Sequence, residues 1–109
     1  KRKNSKNKRA VRRLMAIFDR KDDYLYIKWA KAVKNRDFHC CQICGIVGGN
    51  LHSHHLNAWN SYPEQRYEIT NGVTLCSDCH DRFHEVYGKG DNTEEQYIEF
   101  ERINSAIAK

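Results

Sequence analysis

Two Cys-x-x-Cys pairs constrain this chain more than any other feature of its sequence. The pairs are Cys41-Gln-Ile-Cys44 and Cys76-Ser-Asp-Cys79, and 31 residues separate them. Two such pairs supply the four sulfur ligands of a closed tetrahedral zinc site, and the residues between them suffice for a folded insert. Five cysteines in a disulfide framework would leave one thiol over. The spacing therefore predicts structural zinc bound by four cysteines, with Cys40 spare.

Cys40 could replace Cys41 as a ligand, but three residues would then separate it from Cys44, so Cys41 is preferred. A metal site also suits the size of the chain. At 109 residues and 39% hydrophobic composition, a single domain can bury only a modest core. Zinc-binding thiols rather than disulfides indicate a reducing, intracellular setting. No apolar run approaches the roughly 18 residues that span a bilayer, so no membrane contact is expected.

Positive charge is concentrated at the start of the chain. Residues 1–36 contain 14 Lys or Arg against three Asp, whereas residues 37–109 contain five against 11 acidic residues. This asymmetry predicts a disordered basic arm at residues 1–9 and a basic helical region at 10–36, with nucleic acid as the partner. A solvated tail without a specific role is the alternative. The side chains expected to contact phosphates are Lys8, Arg9, Arg12 and Arg13.

Hydrophobic spacing predicts the helices and strands. A helix ending near residue 35 should bury one stripe, and a short strand should follow at Leu51–Leu56. A second strand is expected at Gly72–Leu75, and a helix over Ser77–Tyr87 should end at Gly88. The predicted stripe of the first helix is Leu25, Trp29, Ala32 and Val33.

The last helix is predicted from a capping box, Thr93-Glu-Glu-Gln96. It falls in a C-terminal packing segment, residues 91–109, that follows a core at 37–90. Its predicted packing face consists of Tyr97, Phe100, Ile103 and Ile107.

The histidines predict a second metal site. On a helix starting near Ser77, His80 and His84 project from the same face and can share a divalent cation. His54 could supply a third ligand, leaving the site open for water or a phosphate oxygen. His55 would point to the other side of its strand, where a neutral imidazole can act as general base. An alternative use of His80 or His84 is to join the zinc in place of a cysteine.

The ordered set of motifs resembles the HNH endonuclease family, in its zinc-knuckle branch. The motifs are Trp29-Ala-Lys-Ala-Val33-Lys-Asn-Arg36-Asp37, Cys41-x-x-Cys44-Gly45, His54-His55 and Asn71-Gly-Val-Thr-Leu75-Cys76-x-x-Cys79-His80. The resemblance covers about half of the chain. It implies a small α+β fold, in which a ββα-metal core with a four-cysteine zinc knuckle is flanked by N-terminal and C-terminal helices.

The resemblance also implies site roles. His54 and His80 would bind a catalytic divalent metal, Mg, Mn, Ni or Zn, and His55 would be the general base. His84 matches a further ligand found in part of the family. Asn71 would brace the loop between the strands and so orient His55. The implied activity is hydrolysis of DNA phosphodiester bonds, with nicking of double-stranded DNA.

Other implied properties concern partners and location. Small phage and intron-associated nucleases look like this, which implies phage packaging proteins as partners and, for a phage protein, the host cytoplasm. The chain is expected to act as a monomer or weak homodimer. The competing interpretation is a non-catalytic zinc-knuckle module that binds nucleic acid. Such a module has no need for paired histidines, and a nicking assay with added metal separates the two.

Overall fold

Three helices and a two-stranded antiparallel sheet make up residues 24–105, the part of the chain that the computed structural model describes. Two single-turn 3-10 helices, Pro63–Gln65 and Ile69–Asn71, lie in the loop between the strands. Within residues 24–105, no helix has the length and apolar character needed to cross a membrane. The elements are α1 (Tyr24–Arg36), β1 (Leu51–His55), β2 (Gly72–Cys76), α2 (Ser77–Tyr87) and α3 (Glu94–Asn104).

The predicted arm at 1–9, the start of the basic helical region and Ile107 lie outside the described residues. Within them, the small α+β fold is confirmed, with β1, β2 and α2 forming the ββα core. β1 pairs with β2 so that His54 lies opposite Val73 and His55 opposite Gly72. Successive side chains of a strand point to opposite faces. The two adjacent histidines therefore face different helices.

α1 packs on the face of the sheet that carries His55. Trp29 and Val33 are buried, as predicted, and they meet β2 at Gly72. A Cβ on Gly72 would lie 2.5 Å from Val33 Cγ2 and 2.6 Å from Trp29 Cζ2, so only glycine allows this approach. The prediction for Leu25 is wrong, because this side chain is 50% exposed.

Tyr26 takes the place predicted for Leu25 in the stripe of α1. Its ring lies three residues before Trp29, at a centroid distance of 5.7 Å, and also contacts the rings of His55 and Trp59. Residues three apart are neighbours on a helix surface, so the aromatic contact turns Leu25 towards solvent. The end of α1 is tied to β2 by Asp37, which accepts a hydrogen bond from the Thr74 amide at 3.0 Å.

α2 and α3 close the other side of the core, where Phe83 contacts Phe100 edge to face at 5.5 Å. Gly88 ends α2 with a φ of 79°, and the predicted capping box of α3 is present. Tyr97 and Phe100 are buried, but the prediction for Ile103 is wrong, since it is 55% exposed. Three residues of an α-helix turn through about 60° less than a full turn. The step from Tyr97 to Phe100 stays on the buried face, and the step from Phe100 to Ile103 leaves it.

Candidate metal centres

The four predicted cysteines form one cluster between the first Cys-x-x-Cys turn and the start of α2. The Sγ atoms of Cys41, Cys44, Cys76 and Cys79 all lie within 4.8 Å of one another. Cys44 Sγ and Cys76 Sγ are 3.7 Å apart, far beyond a disulfide bond. Four sulfurs at the usual Zn–S distance would be separated by about 3.8 Å, so the cluster fits structural zinc. Cys41, the ligand preferred over Cys40, is the one that lies in this cluster.

Backbone amides shape this cluster. Ile43 N donates to Cys41 Sγ at 3.5 Å, and Cys79 N donates to Cys76 Sγ at 3.4 Å at the start of α2. Gly45, with a φ of 83°, turns the chain so that its amide reaches the Cys41 carbonyl at 2.9 Å. The amide bonds to sulfur favour the thiolate form that a metal requires.

The thiols differ in how readily they ionise. Burial disfavours the Cys41 thiolate, but backbone amides, led by that of Cys44, outweigh burial and lower the pKa to about 7. Burial raises the pKa of Cys79 to about 12, although Arg82 Nη2 lies 3.3 Å from its sulfur and opposes the shift. Four negative sulfurs at this spacing repel one another, so full ionisation requires a cation between them. Sequence spacing did not reveal Arg82, which lies one turn after Cys79 on α2.

Three histidines form a second cluster on the other side of α2. The ligand nitrogens of His54, His80 and His84 lie within 4.8 Å of one another. His84 Nδ1 lies 2.9 Å from the Gly88 carbonyl, which can only accept, so Nδ1 carries the proton and Nε2 is the basic nitrogen. That Nε2 faces His80 Nε2 at 3.1 Å. The predicted i, i+4 pair on α2 thus brings two ring nitrogens together.

His54 Nε2 is buried without a hydrogen-bond partner among the described residues. An unsatisfied buried polar atom costs about 1–3 kcal/mol, which a metal ion at this nitrogen would remove. Burial, reinforced by His80 and His84, lowers the pKa of His54 to about 3. Burial and then His84 lower the pKa of His80 to about 4. Both rings are therefore neutral at physiological pH, the form that binds metals, and the three residues fit a divalent cation.

His55 lies on the opposite face of β1, 8% exposed and beneath α1. Its ring stacks on Trp29 with centroids 3.8 Å apart and planes within 10°. His55 Nε2 lies 2.9 Å from the Arg66 carbonyl, which can only accept, so Nε2 carries the proton. This assignment makes Nδ1 the basic nitrogen of the neutral ring. The stack was missed, because sequence periodicity identified Trp29 only as a core residue.

Asn71 is buried at the end of the loop that precedes β2. Its Nδ2 donates to the carbonyls of Asn57 at 3.0 Å and Gln65 at 3.2 Å, and its Oδ1 accepts from the Asn57 amide at 2.8 Å. The side chain thereby ties together both halves of the loop. Arg66, whose carbonyl meets His55, follows Gln65 directly.

A cavity of about 480 Å³ is lined by the three clustered histidines and by His55. Lys34 from α1 and Lys89 from the segment after α2 also line it, and both were missed. Lys89 directly follows Gly88, the glycine predicted to end the helix, and this position is the one feature of the sequence that pointed to it. His52 also lines the cavity and stacks on His80 at 4.9 Å. The side chains Lys8, Arg9, Arg12 and Arg13 lie outside the described residues, so their phosphate contacts stay a prediction.

Comparison with known proteins agrees with this arrangement. The HNH endonuclease family model matches residues 41–85, which contain both clusters and His55. A protein named anaredoxin, from Nostoc sp., is 33% identical over 64 residues, which cover 59% of this chain and 82% of that protein. This chain belongs to the HNH endonuclease family. No solved structure matches it.

Membership of the HNH family and the four-cysteine cluster together indicate the general type of protein. It carries a domain of a family associated with nucleic-acid hydrolysis and a site that could bind structural zinc. The cysteine and histidine clusters occupy separate positions around α2. The alternative in which His80 or His84 replaces a zinc-binding cysteine is not supported, because the four sulfurs already form a complete set of ligands.

Proposed function

We propose that this chain is a metal-dependent endonuclease that hydrolyses DNA phosphodiester bonds and nicks double-stranded DNA. One observation carries the proposal: His54 Nε2, buried and without a hydrogen-bond partner within residues 24–105, converges with the ring nitrogens of His80 and His84, one residue from His55. A core built only for stability gains nothing from three buried or half-buried imidazoles at this spacing. The grouping of metal ligands beside a basic ring is suited to phosphodiester hydrolysis.

In this proposal a single divalent ion, Mg, Mn, Ni or Zn, is held by His54, His80 and His84. When bound, the ion supplies positive charge that stabilises the pentacovalent transition state and the leaving 3′-oxygen. The histidines contribute neutral rings, which burial favours at His54 and His80. His84 contributes Nε2, because its Nδ1 hydrogen bond to Gly88 fixes the tautomer.

His55 is the proposed general base. Its Nδ1 accepts a proton from water while the water oxygen bonds to phosphorus and the bond from phosphorus to the 3′-oxygen breaks. The 3′-oxygen then takes a proton from solvent, which leaves 5′-phosphate and 3′-hydroxyl ends. Asn71 supports this step indirectly, since it braces the loop whose Arg66 carbonyl holds His55 Nε2.

DNA is the proposed substrate because the cavity combines these histidines with positive charge. Lys34 and Lys89 line it from different elements, and both could meet phosphate oxygens there. These contacts would hold the backbone without reading bases. The enzyme should therefore cut DNA without a sequence preference.

The test is nicking of supercoiled plasmid by zinc-loaded protein in added Mg or Mn, with an EDTA control. Cleavage should require the added metal, and His55→Ala should lower kcat by about 10²–10⁴-fold, the usual contribution of a general base. The control is His39→Asn, since the His39 ring bonds to Asn35 at 2.9 Å and asparagine tolerates its φ of 53°. Retained zinc and unchanged circular dichroism would show that both variants are folded.

Two outcomes would contradict the proposal. If His55→Ala cleaves at the parental rate with zinc bound, His55 is not the base. If the parent never cleaves but shifts DNA in a gel, the non-catalytic nucleic-acid-binding module is the better description. Mapping the cut ends at single-nucleotide level gives an independent check, because the proposed step leaves only 5′-phosphates.

A further inference from the structure

We propose that Trp29 is a positioning residue for His55: its indole face fixes the plane of the imidazole that acts as base. The inference rests on the proposed function. It is carried by the stack itself, with ring centroids 3.8 Å apart and planes only 10° from parallel. Both rings are largely removed from water, with Trp29 2% and His55 8% exposed. Contact at this distance leaves no room for the imidazole to tilt towards α1.

Trp29 is itself held at two points. Its Nε1 donates to the Glu68 carbonyl at 2.7 Å, which fixes one edge of the indole. A second contact is Gly72, where an added Cβ would lie 2.6 Å from Trp29 Cζ2. The ring therefore cannot slide along the sheet, and it offers His55 a fixed surface rather than an adaptable one.

Three further neighbours of His55 hold its ring less closely than Trp29 does. The Tyr26 ring lies at a centroid distance of 6.2 Å and an interplanar angle of 26°. The Arg66 carbonyl meets His55 Nε2 at 2.9 Å, and this contact by itself permits rotation about the N–O axis. Trp59 meets the ring edge on, at 5.5 Å and 76°. Arg66 supports Trp59 as well, since its Nε donates to the Trp59 carbonyl at 2.7 Å. Of these neighbours and Trp29, only Trp29 presents a flat face at contact distance, with centroids 3.8 Å apart, which opposes rotation of the imidazole out of its plane.

A purely structural role for Trp29 is the competing interpretation, because the side chain also packs near Val33 at Gly72. The two interpretations differ in what each part of the side chain does. A positioning role requires a flat ring against His55, whereas packing requires only apolar volume. Variants that remove the aromatic ring but keep an apolar side chain therefore decide between the positioning role and the packing role.

The experiment compares Trp29→Phe, which keeps an aromatic face, with Trp29→Leu and Trp29→Met, which are apolar and nearer to Phe than to Trp in size but have no aromatic face. Val33→Ala is the matched control, since Val33 is fully buried one turn further along α1 and lies outside the catalytic site. Zinc-loaded proteins are assayed for nicking, and the ring protons of His55 are observed by NMR. These protons should be shifted upfield in the parent and in Trp29→Phe, and they should lose that shift in both aliphatic variants.

The aliphatic variants should lower kcat at least about tenfold while KM stays within about twofold, because the misplaced base acts only in the chemical step. Trp29→Phe should keep kcat within about threefold of the parent, and Val33→Ala should lose stability without this kcat effect. Parental kcat in a folded aliphatic variant would overturn the inference. So would an equal loss of kcat in Val33→Ala, or an absent upfield shift in the parent.

Two further outcomes remain interpretable. If neither aliphatic variant folds, Trp29→Phe decides alone: near-parental kcat supports the inference, and kcat as low as that of His55→Ala overturns it. If the parent does not cleave DNA, the proposed function fails, and NOEs between the ring protons of His55 and Trp59 still test whether Trp29 orients the imidazole. Loss of these NOEs in the aliphatic variants then supports orientation, and their retention overturns it.

Discussion

The cysteine and histidine clusters share α2 but differ in almost every physical respect. The cysteine cluster has four ligands, and backbone amides donate to two of its sulfurs. The histidine cluster has three, and it opens on a cavity of about 480 Å³. A closed set of four soft ligands is typical of structural zinc, and an open set of three is typical of catalysis. Cys79 and His80 are adjacent in sequence, yet about 100° of helix rotation directs them to different sites.

Because of these differences, the two sites should fail in different ways. The sulfurs join the turn after α1 to the start of α2, segments 32 residues apart in sequence at Cys44 and Cys76. Losing that link removes a long-range constraint from a chain with a small core. The histidines instead line a solvent-accessible cavity beside elements already held by β1, β2 and α3. Their loss should therefore change chemistry more than stability.

Breaking the cysteine cluster should have the most severe consequence, the loss of the fold. Cys41→Ser should lower zinc binding sharply and unfold the domain, because apparent zinc-binding energies of about 10–16 kcal/mol in zinc fingers exceed typical domain stabilities. Cys40→Ser is the neighbouring control and should change stability by less than about 0.5 kcal/mol, since Cys40 lies outside the cluster. Zinc content and urea unfolding measure both. Equal losses in the two variants would mean that the ligands are misassigned.

Breaking the histidine cluster should have the second largest effect, a loss of activity with the fold retained. His54→Leu should reduce nicking by about two orders of magnitude or more, because the proposed metal centre loses one of its three ligands. The zinc-loaded protein without added metal should nevertheless be at least as stable, because the substitution removes an unsatisfied buried nitrogen worth about 1–3 kcal/mol. Urea unfolding and plasmid nicking on the same samples give both values. A destabilised but active variant would reverse the assignment of this cluster.

The sequence predicted both clusters because their ligands follow local rules. Two residues between cysteines make a turn, and histidines four positions apart share one face of a helix, so spacing predicted which side chains within each pair would lie together. The alternation of β1 likewise separated His54 from His55. Gly88 and the Thr93 capping box marked the ends of α2 and α3 because each satisfies specific backbone groups.

What the sequence could not predict depends on contacts between distant segments. Leu25 and Tyr26 are both compatible with a buried stripe, and only the rings of His55 and Trp59 select Tyr26. The stack of Trp29 on His55 joins residues 26 apart, and no local period encodes it. Lys34 and Lys89 reach one cavity from different elements for the same reason.

The mildest change should come from a variant that lowers the zinc affinity of the cysteine cluster without disturbing the histidines. Arg82 Nη2 lies 3.3 Å from Cys79 Sγ and favours its thiolate, so Arg82→Gln should weaken zinc binding about tenfold, at the low end for residues that support ligands. Competition with a chromophoric chelator measures this affinity. At saturating zinc, kcat for nicking should stay within about twofold of the parent, because Arg82 does not line the cavity. A large fall in kcat with zinc still bound would show that the two sites are coupled through α2, and stability and chemistry would then depend on both clusters together.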